Sequence, residues 1–388
     1  MDFDYEVGFG ACTCCGSIGD TSGNNKASGL GEERPADMAM MLAFELSGEH
    51  ETLPRSEVLA SCAALKVEHE VVGSGAQYLL LSVHNTSADN ELPHTISARL
   101  AMTHHILSLI VRCDASESAI LESIRDAGIT IPRNETFNVR VRRMAGAQLS
   151  ATRMERLIGE VIFEGNRDDG VKVNLTSPDH RFRAILTKDS CIFGEVLASI
   201  DRSRFEERRP HKKPFFYPGA ISPIVSRAIV NLCEIGSGDL VLDPFCGTGG
   251  ILVEAGMIGA RVIGVDAQES MIRGADENLM FHGFKYHLIC GDACKLPFPD
   301  RSIDAVVTDP PYGRSAVVMA ESIVSLYKGA LFEIYRVLAV GGRAAVISDF
   351  ELPQKWIDEA GGVGFAASEL FMERVHRSMT RHILVLCK

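Results

Sequence analysis

The feature that most constrains this chain is a series of short apolar segments in its C-terminal half, each ending in an aspartate. Leu240-Val241-Leu242 leads into Asp243, residues 261–265 into Asp266, a third segment into Gly291-Asp292-Ala293, residues 304–308 into Asp309, and a fifth into Asp349. Stretches of helical spacing lie between them, over residues 250–257, 270–281 and 317–338. Strict alternation of strand and helix implies parallel strands, because the helix carries the chain back before the next strand pairs. The expected fold class is α/β, with a doubly wound, Rossmann-like sheet over residues 216–388. Two further apolar or alternating runs, residues 364–375 and 381–388, should close the sheet as a terminal antiparallel hairpin. Open sheets of this kind bind ligands outside the carboxyl ends of their strands, which is where these aspartates fall.

The first strand end carries Asp243-Pro244-Phe245-Cys246-Gly247-Thr248-Gly249-Gly250. Glycine lets a backbone approach a ligand closely and adopt positive φ. The turn has neither the Lys-Ser/Thr of a phosphate-binding loop nor the third glycine of a dinucleotide fingerprint, although a degenerate NAD-type fold competes as a reading. Asp266 lies 23 residues after Asp243 and can accept hydrogen bonds from both ribose hydroxyls. Asp292 can accept from an adenine amino group. Acidic strand ends beside a glycine turn, with no phosphate clamp, describe a nucleoside pocket suited to S-adenosylmethionine. That cofactor carries a sulfonium and an amino acid instead of a pyrophosphate.

The fourth strand end carries Asp309-Pro310-Pro311-Tyr312. Two prolines lock an extended turn and remove two backbone donors. The Asp309 carboxylate and the Pro310 carbonyl can then accept from one exocyclic amine. The lone pair of an aryl amine is delocalised into its ring, and two acceptors on its hydrogens favour a pyramidal nitrogen aimed at the methyl group. Tyr312 offers a face on which an extruded base can stack. Catalysis of such an in-line displacement rests on positioning and charge stabilisation. Asp309, Pro310 and Tyr312 are the candidate catalytic residues.

The N-terminal half reads as two small α+β units. Residues 38–95 hold a helix over 56–65 and strands over 67–72 and 78–83, separated by Gly73-Ser74-Gly75. Residues 96–187 hold strands over 136–142, 171–175 and 181–186 and a helix over 149–163, with His104-His105 in a helix-like apolar run. Residues 188–215 are expected to be a linker whose Arg202–Pro214 portion is too charged for a core. Residues 1–37 are glycine-rich and aperiodic, the pattern of a disordered extension. The eleven cysteines do not fall into the two paired motifs of a zinc ribbon, so no metal is expected. With no leader pattern and no apolar run long enough for a bilayer, a cytoplasmic enzyme with reduced thiols is expected.

The two strand-end motifs together look like a class I amino-methyltransferase. More narrowly, residues 209–388 resemble the archaeal tRNA (guanine-10-N2) dimethyltransferases. The resemblance is carried by residues 209–219 (RPHKKPFFYPG), 243–250 (DPFCGTGG), 308–313 (TDPPYG) and 374–381 (RVHRSMTR). It implies that ferredoxin-like (38–95) and THUMP (96–187) domains precede the catalytic one, matching more loosely and best around residues 173–186. It implies S-adenosylmethionine as cofactor and tRNA as substrate, with the N2 amine of guanine 10 converted to the dimethyl form. Asp309, Pro310 and Tyr312 would hold the target amine. Asp243, Gly247, Gly249, Asp266 and Asp292 would line the cofactor, with Tyr217 in the pocket wall formed by residues 216–219. Relatives in some organisms work with a small zinc-binding activator subunit, which the resemblance makes a candidate partner. An rRNA guanine-N2 or DNA adenine-N6 methyltransferase remains an alternative, as does a non-catalytic RNA-binding protein that retains the pocket.

The formal charge of −12 argues against a nucleic-acid partner only as an average. Residues 1–124 carry 6 Lys+Arg against 18 Asp+Glu, and residues 214–388 carry 15 against 20. Residues 125–213 carry 18 against 13, the one net-positive stretch of the three. Arg209, His211, Lys212 and Lys213 in the linker are candidate RNA contacts. Arg377 and Arg381 in the closing hairpin are either phosphate contacts or a solvated face.

Overall fold

The computed structural model describes residues 39–84, 91–312, 323–361, 365–376 and 379–388. The proposed extension over 1–37 and the candidate Arg377 lie outside these residues. The N-terminal part contains β1 (Met40–Leu46), β2 (His69–Gly75), β3 (Tyr78–Val83), β4 (Thr103–Asp114), β5 (Thr136–Arg143), β6 (Lys172–Val173), β7 (His180–Leu186) and β8 (Ser190–Ser199). They form one eight-stranded sheet in the order β2-β3-β1-β4-β8-β7-β5-β6. The two expected α+β units therefore share a continuous sheet. The reason is β4, twelve residues long, which pairs with β1 on one edge and β8 on the other. His104 and His105, expected in a helix-like run, lie in this strand. Residues 190–199, expected in the linker, form β8 between β4 and β7.

The C-terminal sheet contains β9 (Leu240–Asp243), β10 (Arg261–Asp266), β11 (Tyr286–Cys290), β12 (Ile303–Thr308), β13 (Leu338–Ser348), β14 (Ala366–His376) and β15 (Met379–Cys387). Their order is β11-β10-β9-β12-β13-β15-β14. The first five are mutually parallel, and β15 inserts antiparallel between β13 and β14. Val241, Leu242, Val306 and Val307 are fully buried, as expected for central strands covered on both faces. Among the described residues no helix is long and apolar enough to cross a membrane.

The charged segment after β8 is partly core. Phe205 is 1% exposed, with the guanidinium groups of Arg204, Arg208 and Arg227 at 4.9, 4.8 and 5.6 Å from its ring centroid. Arg208 is buried and donates to both carboxylate oxygens of Glu254 at 2.7 and 3.1 Å, and Arg227 pairs with the same carboxylate at 2.9 Å. Two guanidiniums sharing a buried carboxylate explain why so charged a segment can sit inside.

A second buried carboxylate joins the two sheets. Glu57, on the helix Leu53–Ala64, accepts from the backbone N–H groups of Ala101 and Met102 at 2.9 and 2.8 Å. It also accepts from Asn231, on the helix Pro223–Leu232, at 3.0 Å. Arg99 donates to the Ile235 carbonyl at 2.6 Å, and its own carbonyl accepts from Arg227 and Asn231. Leu53 and Met102 pack into the same apolar cluster as Ile229 and Val230, so both sheets belong to one compact unit.

Glu254→Gln leaves Arg208 and Arg227 buried without their counter-charge. It is expected to destabilise the protein by about 3–5 kcal/mol, the usual cost of breaking a buried pair, measured by urea unfolding beside the wild type.

Candidate active site

The strand order of the parallel sheet reverses between β9 and β12, so the connections leaving these two strands run in opposite directions. A crevice opens at such a point. Asp243, at the end of β9, is buried there. Its Oδ1 accepts from the Thr308 hydroxyl at 2.7 Å, across the gap at the end of β12, and from the Phe245 N–H at 3.1 Å. Burial pushes its carboxyl up to about 7; these two hydrogen bonds oppose the shift, and the nearby Asp309 and Asp266 add to it.

The glycine turn adopts the conformation that its composition requires, with φ of +49° at Gly247 and +77° at Gly249. Gly247 donates its N–H to Asp266 Oδ2 at 3.0 Å, and Gln268 N–H donates to Asp266 Oδ1 at 2.8 Å. Burial raises the Asp266 carboxyl above its ordinary range, against the pull of both N–H groups. Asp292 is exposed just beyond β11 and accepts from the Cys294 N–H at 2.8 Å. A Cβ added at Gly247 would meet nothing within 4 Å, so open space lies over the turn. Gly249 behaves differently: it precedes the helix Gly250–Gly256, and an added Cβ would lie 3.4 Å from Leu279 Cγ. Its part is the turn and the packing beneath it.

At the end of β12 the Tyr312 hydroxyl donates to Asp309 Oδ1. Burial pushes the Asp309 carboxyl up to about 6. Tyr312 and Arg381 pull it down, while Glu373 and Asp349 push it up. Burial and the Asp309 charge raise the Tyr312 hydroxyl far enough for it to remain a donor. A cavity of about 940 Å³ brings these groups together. Asp243, Gly247, Asp266 and Asp292 line it, as do Tyr217, Asp309, Tyr312 and Arg381. Pro311 contributes to the wall, whereas Pro310 is buried and absent from it.

Two of the expected RNA contacts are elsewhere than the sequence suggested. Arg381 is 6% exposed, in the cavity wall and paired with Glu373 at 3.3 Å, so it is no surface phosphate contact. Lys213 is half-buried, its Nζ 3.6 Å from where a Gly250 Cβ would lie, and burial lowers its ammonium below the usual range despite the nearby Glu254. Arg209, His211 and Lys212 are exposed, Arg209 being paired with Glu206 at 2.7 Å.

The sequence reading passed over three residues that build the site. Thr308 anchors Asp243. Asn278 accepts from the Phe215 N–H and donates to the carbonyls of Phe215 and Thr248, tying the 214–219 segment to the glycine turn. Gly274 lies under Phe215, whose Cδ1 would be 2.2 Å from an added Cβ. The signal for the last two was present: a polar residue and a glycine on the apolar face of the helix Glu269–Leu279.

Among the described lining residues Arg381 is the one cation, while four carboxylates face the cavity. That balance suits a ligand bearing ribose, amine and sulfonium and is unsuited to a pyrophosphate. Residues 210–381 match the family described as the RMKL-like methyltransferase domain, and residues 125–194 match the THUMP domain. The crystal structure of TrmN from Thermus thermophilus shares the fold, with a TM-score of 0.53 at 23% identity, covering 90% of this chain and 99% of that one. Sheet order, pocket and domain matches define an S-adenosylmethionine-dependent class I methyltransferase carrying a THUMP domain.

The particular family follows from sequence. The chain is 38% identical over 355 residues to the tRNA (guanine(10)-N2)-dimethyltransferase of Methanothermobacter thermautotrophicus, covering 90% of this chain and 99% of the relative. It is 36% identical over 256 residues to the enzyme of the same name from Pyrococcus abyssi, covering 65% and 74%. This chain belongs to the tRNA (guanine(10)-N2)-dimethyltransferase family.

Thr308→Val removes the hydroxyl donor from Asp243 and raises its carboxyl further above about 7. At pH 5 Asp243 is protonated in both folded forms, so the substitution costs little. At pH 8 the wild-type carboxylate uses this bond, and the cost should grow to about 1–3 kcal/mol. Urea unfolding of both proteins at the two pH values measures the difference.

Proposed function

We propose that this chain methylates the exocyclic N2 of guanine 10 in tRNA, taking the product to N2,N2-dimethylguanosine. The observation that carries the reading is one cavity lined both by the carboxylate strand ends Asp243 and Asp266 and by the Asp309–Tyr312 pair. The 38% identical relative bears the same activity in its name. The cofactor, when bound, supplies an electrophilic methyl group on sulfonium. Asp266 accepts from the ribose hydroxyls and Asp292 from the adenine amine. Asp243, beside the glycine turn, holds the amino-acid end, and Tyr217 closes the wall. Asp309 and the Pro310 carbonyl accept the two N–H groups of the guanine amine, and Tyr312 supports the base by stacking. As the N–C bond forms and the S–C bond breaks, the amine sheds a proton. Asp309, with its carboxyl at about 6, is a carboxylate at neutral pH and can take it.

Purified chain with unmodified tRNA and S-adenosylmethionine should yield dimethylguanosine at position 10 by nucleoside mass analysis. Asp309→Ala should lower the rate by about 10²–10³. Equal incorporation by that variant would falsify the mechanism, and methylation of duplex DNA in place of tRNA would overturn the substrate. Completion at monomethylguanosine would refute dimethylation. The reading places the enzyme in the cytoplasm. A small zinc-binding activator subunit is a further candidate partner, tested by whether its addition raises the rate.

The net-positive stretch over 125–213 supplies the electrostatic footprint for the tRNA. Affinity should fall steeply with salt. Lys212→Gln is expected to lower the slope of log K against log salt by about one, while Lys213→Gln, at a half-buried site, leaves it unchanged. Binding isotherms across a salt series measure both slopes.

A further inference from the structure

The β14–β15 hairpin brings to the amine-binding end of the cavity a charge that neither strand-end motif contains. Arg381 stands on β15 opposite Glu373 on β14 and donates to its Oε2 at 3.3 Å. Its Nη2 lies 3.5 Å from the Gly219 carbonyl, and its charge acts on Tyr312 and Asp309, which line the same cavity. Among the described residues its buried Nε has no hydrogen-bond partner. Among the described residues, the charged and titratable groups that act on Asp309 are Tyr312, Tyr327, Asp243, Asp349, Glu373 and Arg381. Arg381 is the one cation among them.

We propose that Arg381 is a positioning residue for the methyl-accepting amine: oriented by Glu373, its guanidinium keeps Asp309 an anionic acceptor and holds the Tyr312 hydroxyl on it. The inference rests on the role given to Asp309 above. A neutral Asp309 would present an O–H donor to an amine that needs acceptors. The neighbouring carboxylates favour that neutral form, and Arg381 opposes them. Glu373 acts in two senses, orienting the guanidinium while pushing the Asp309 carboxyl up.

The test is the pH dependence of kcat/KM for tRNA, which reports groups of the free enzyme. The wild type should show an acid limb near pH 6, set by Asp309. Arg381→Met should move that limb up by about one pH unit, giving about a tenfold loss on its acid side that is largely recovered at high pH. Arg381→Lys, which keeps the charge, should move it less. Binding of S-adenosylhomocysteine by each variant checks that the cofactor end is intact. A loss by Arg381→Met that is equal at every pH overturns the proposal, as does a limb that Arg381→Lys moves as far as Arg381→Met does. Should Arg381→Met fail to fold, Arg381→Gln takes its place, with the same upward shift expected and a pH-independent loss overturning the proposal. A wild-type chain that methylates no guanine N2 refutes the function itself. Wild-type transfer with unshifted limbs in the variants refutes only the role of Arg381.

Discussion

The site depends on the hydrogen bond between Thr308 and Asp243, which spans the point where the parallel sheet reverses its strand order. Here β9 and β12 are neighbours, but their connections leave in opposite directions, so a crevice opens beyond their ends. Asp243 would be costly to bury alone. Held by one hydroxyl and one backbone N–H, it becomes a fixed acceptor in the floor of the crevice. Asp309 follows Thr308 directly, so the bond that fixes Asp243 also sets the position of Asp309. One strand end thereby brings two carboxylates to the same cavity.

A substrate as large as tRNA adds a second constraint, a fixed relation between the N-terminal sheet and the crevice. Buried polar contacts supply it. Glu57 and Glu254 each gather donors from segments far apart in sequence, and each lies against apolar packing that excludes water. Such carboxylates add less to stability than apolar replacements could, but they accept only one arrangement of their partners. The expected linker is instead held by Phe205 and Arg208, and both sheets belong to one compact unit.

Where the sequence reading failed, it failed on charge. Arg208, Lys213 and Arg381 each looked solvated, because a cation in a polar stretch usually is. Each turns inward toward a carboxylate supplied by another element, Glu254 for the first two and Glu373 for the third. His104 and His105 were misplaced for a related reason. A short apolar run has no reliable period of its own, and β4 is a strand because β1 and β8 flank it.

The sequence by itself determined the parallel sheet, its terminal hairpin, the glycine turn and the strand-end acids, Asp243, Asp266, Asp292 and Asp309. These follow from local alternation and from residue types whose conformational preferences act over a few positions. Only the tertiary structure decided that two N-terminal units share one sheet, that Asn278 and Gly274 seat the 214–219 wall, and that Arg381 faces the cavity. Those outcomes depend on partners tens to hundreds of residues away or on the register of a hairpin. Burial makes such pairings selective, because an unpaired charge or donor there costs more than any local preference can return.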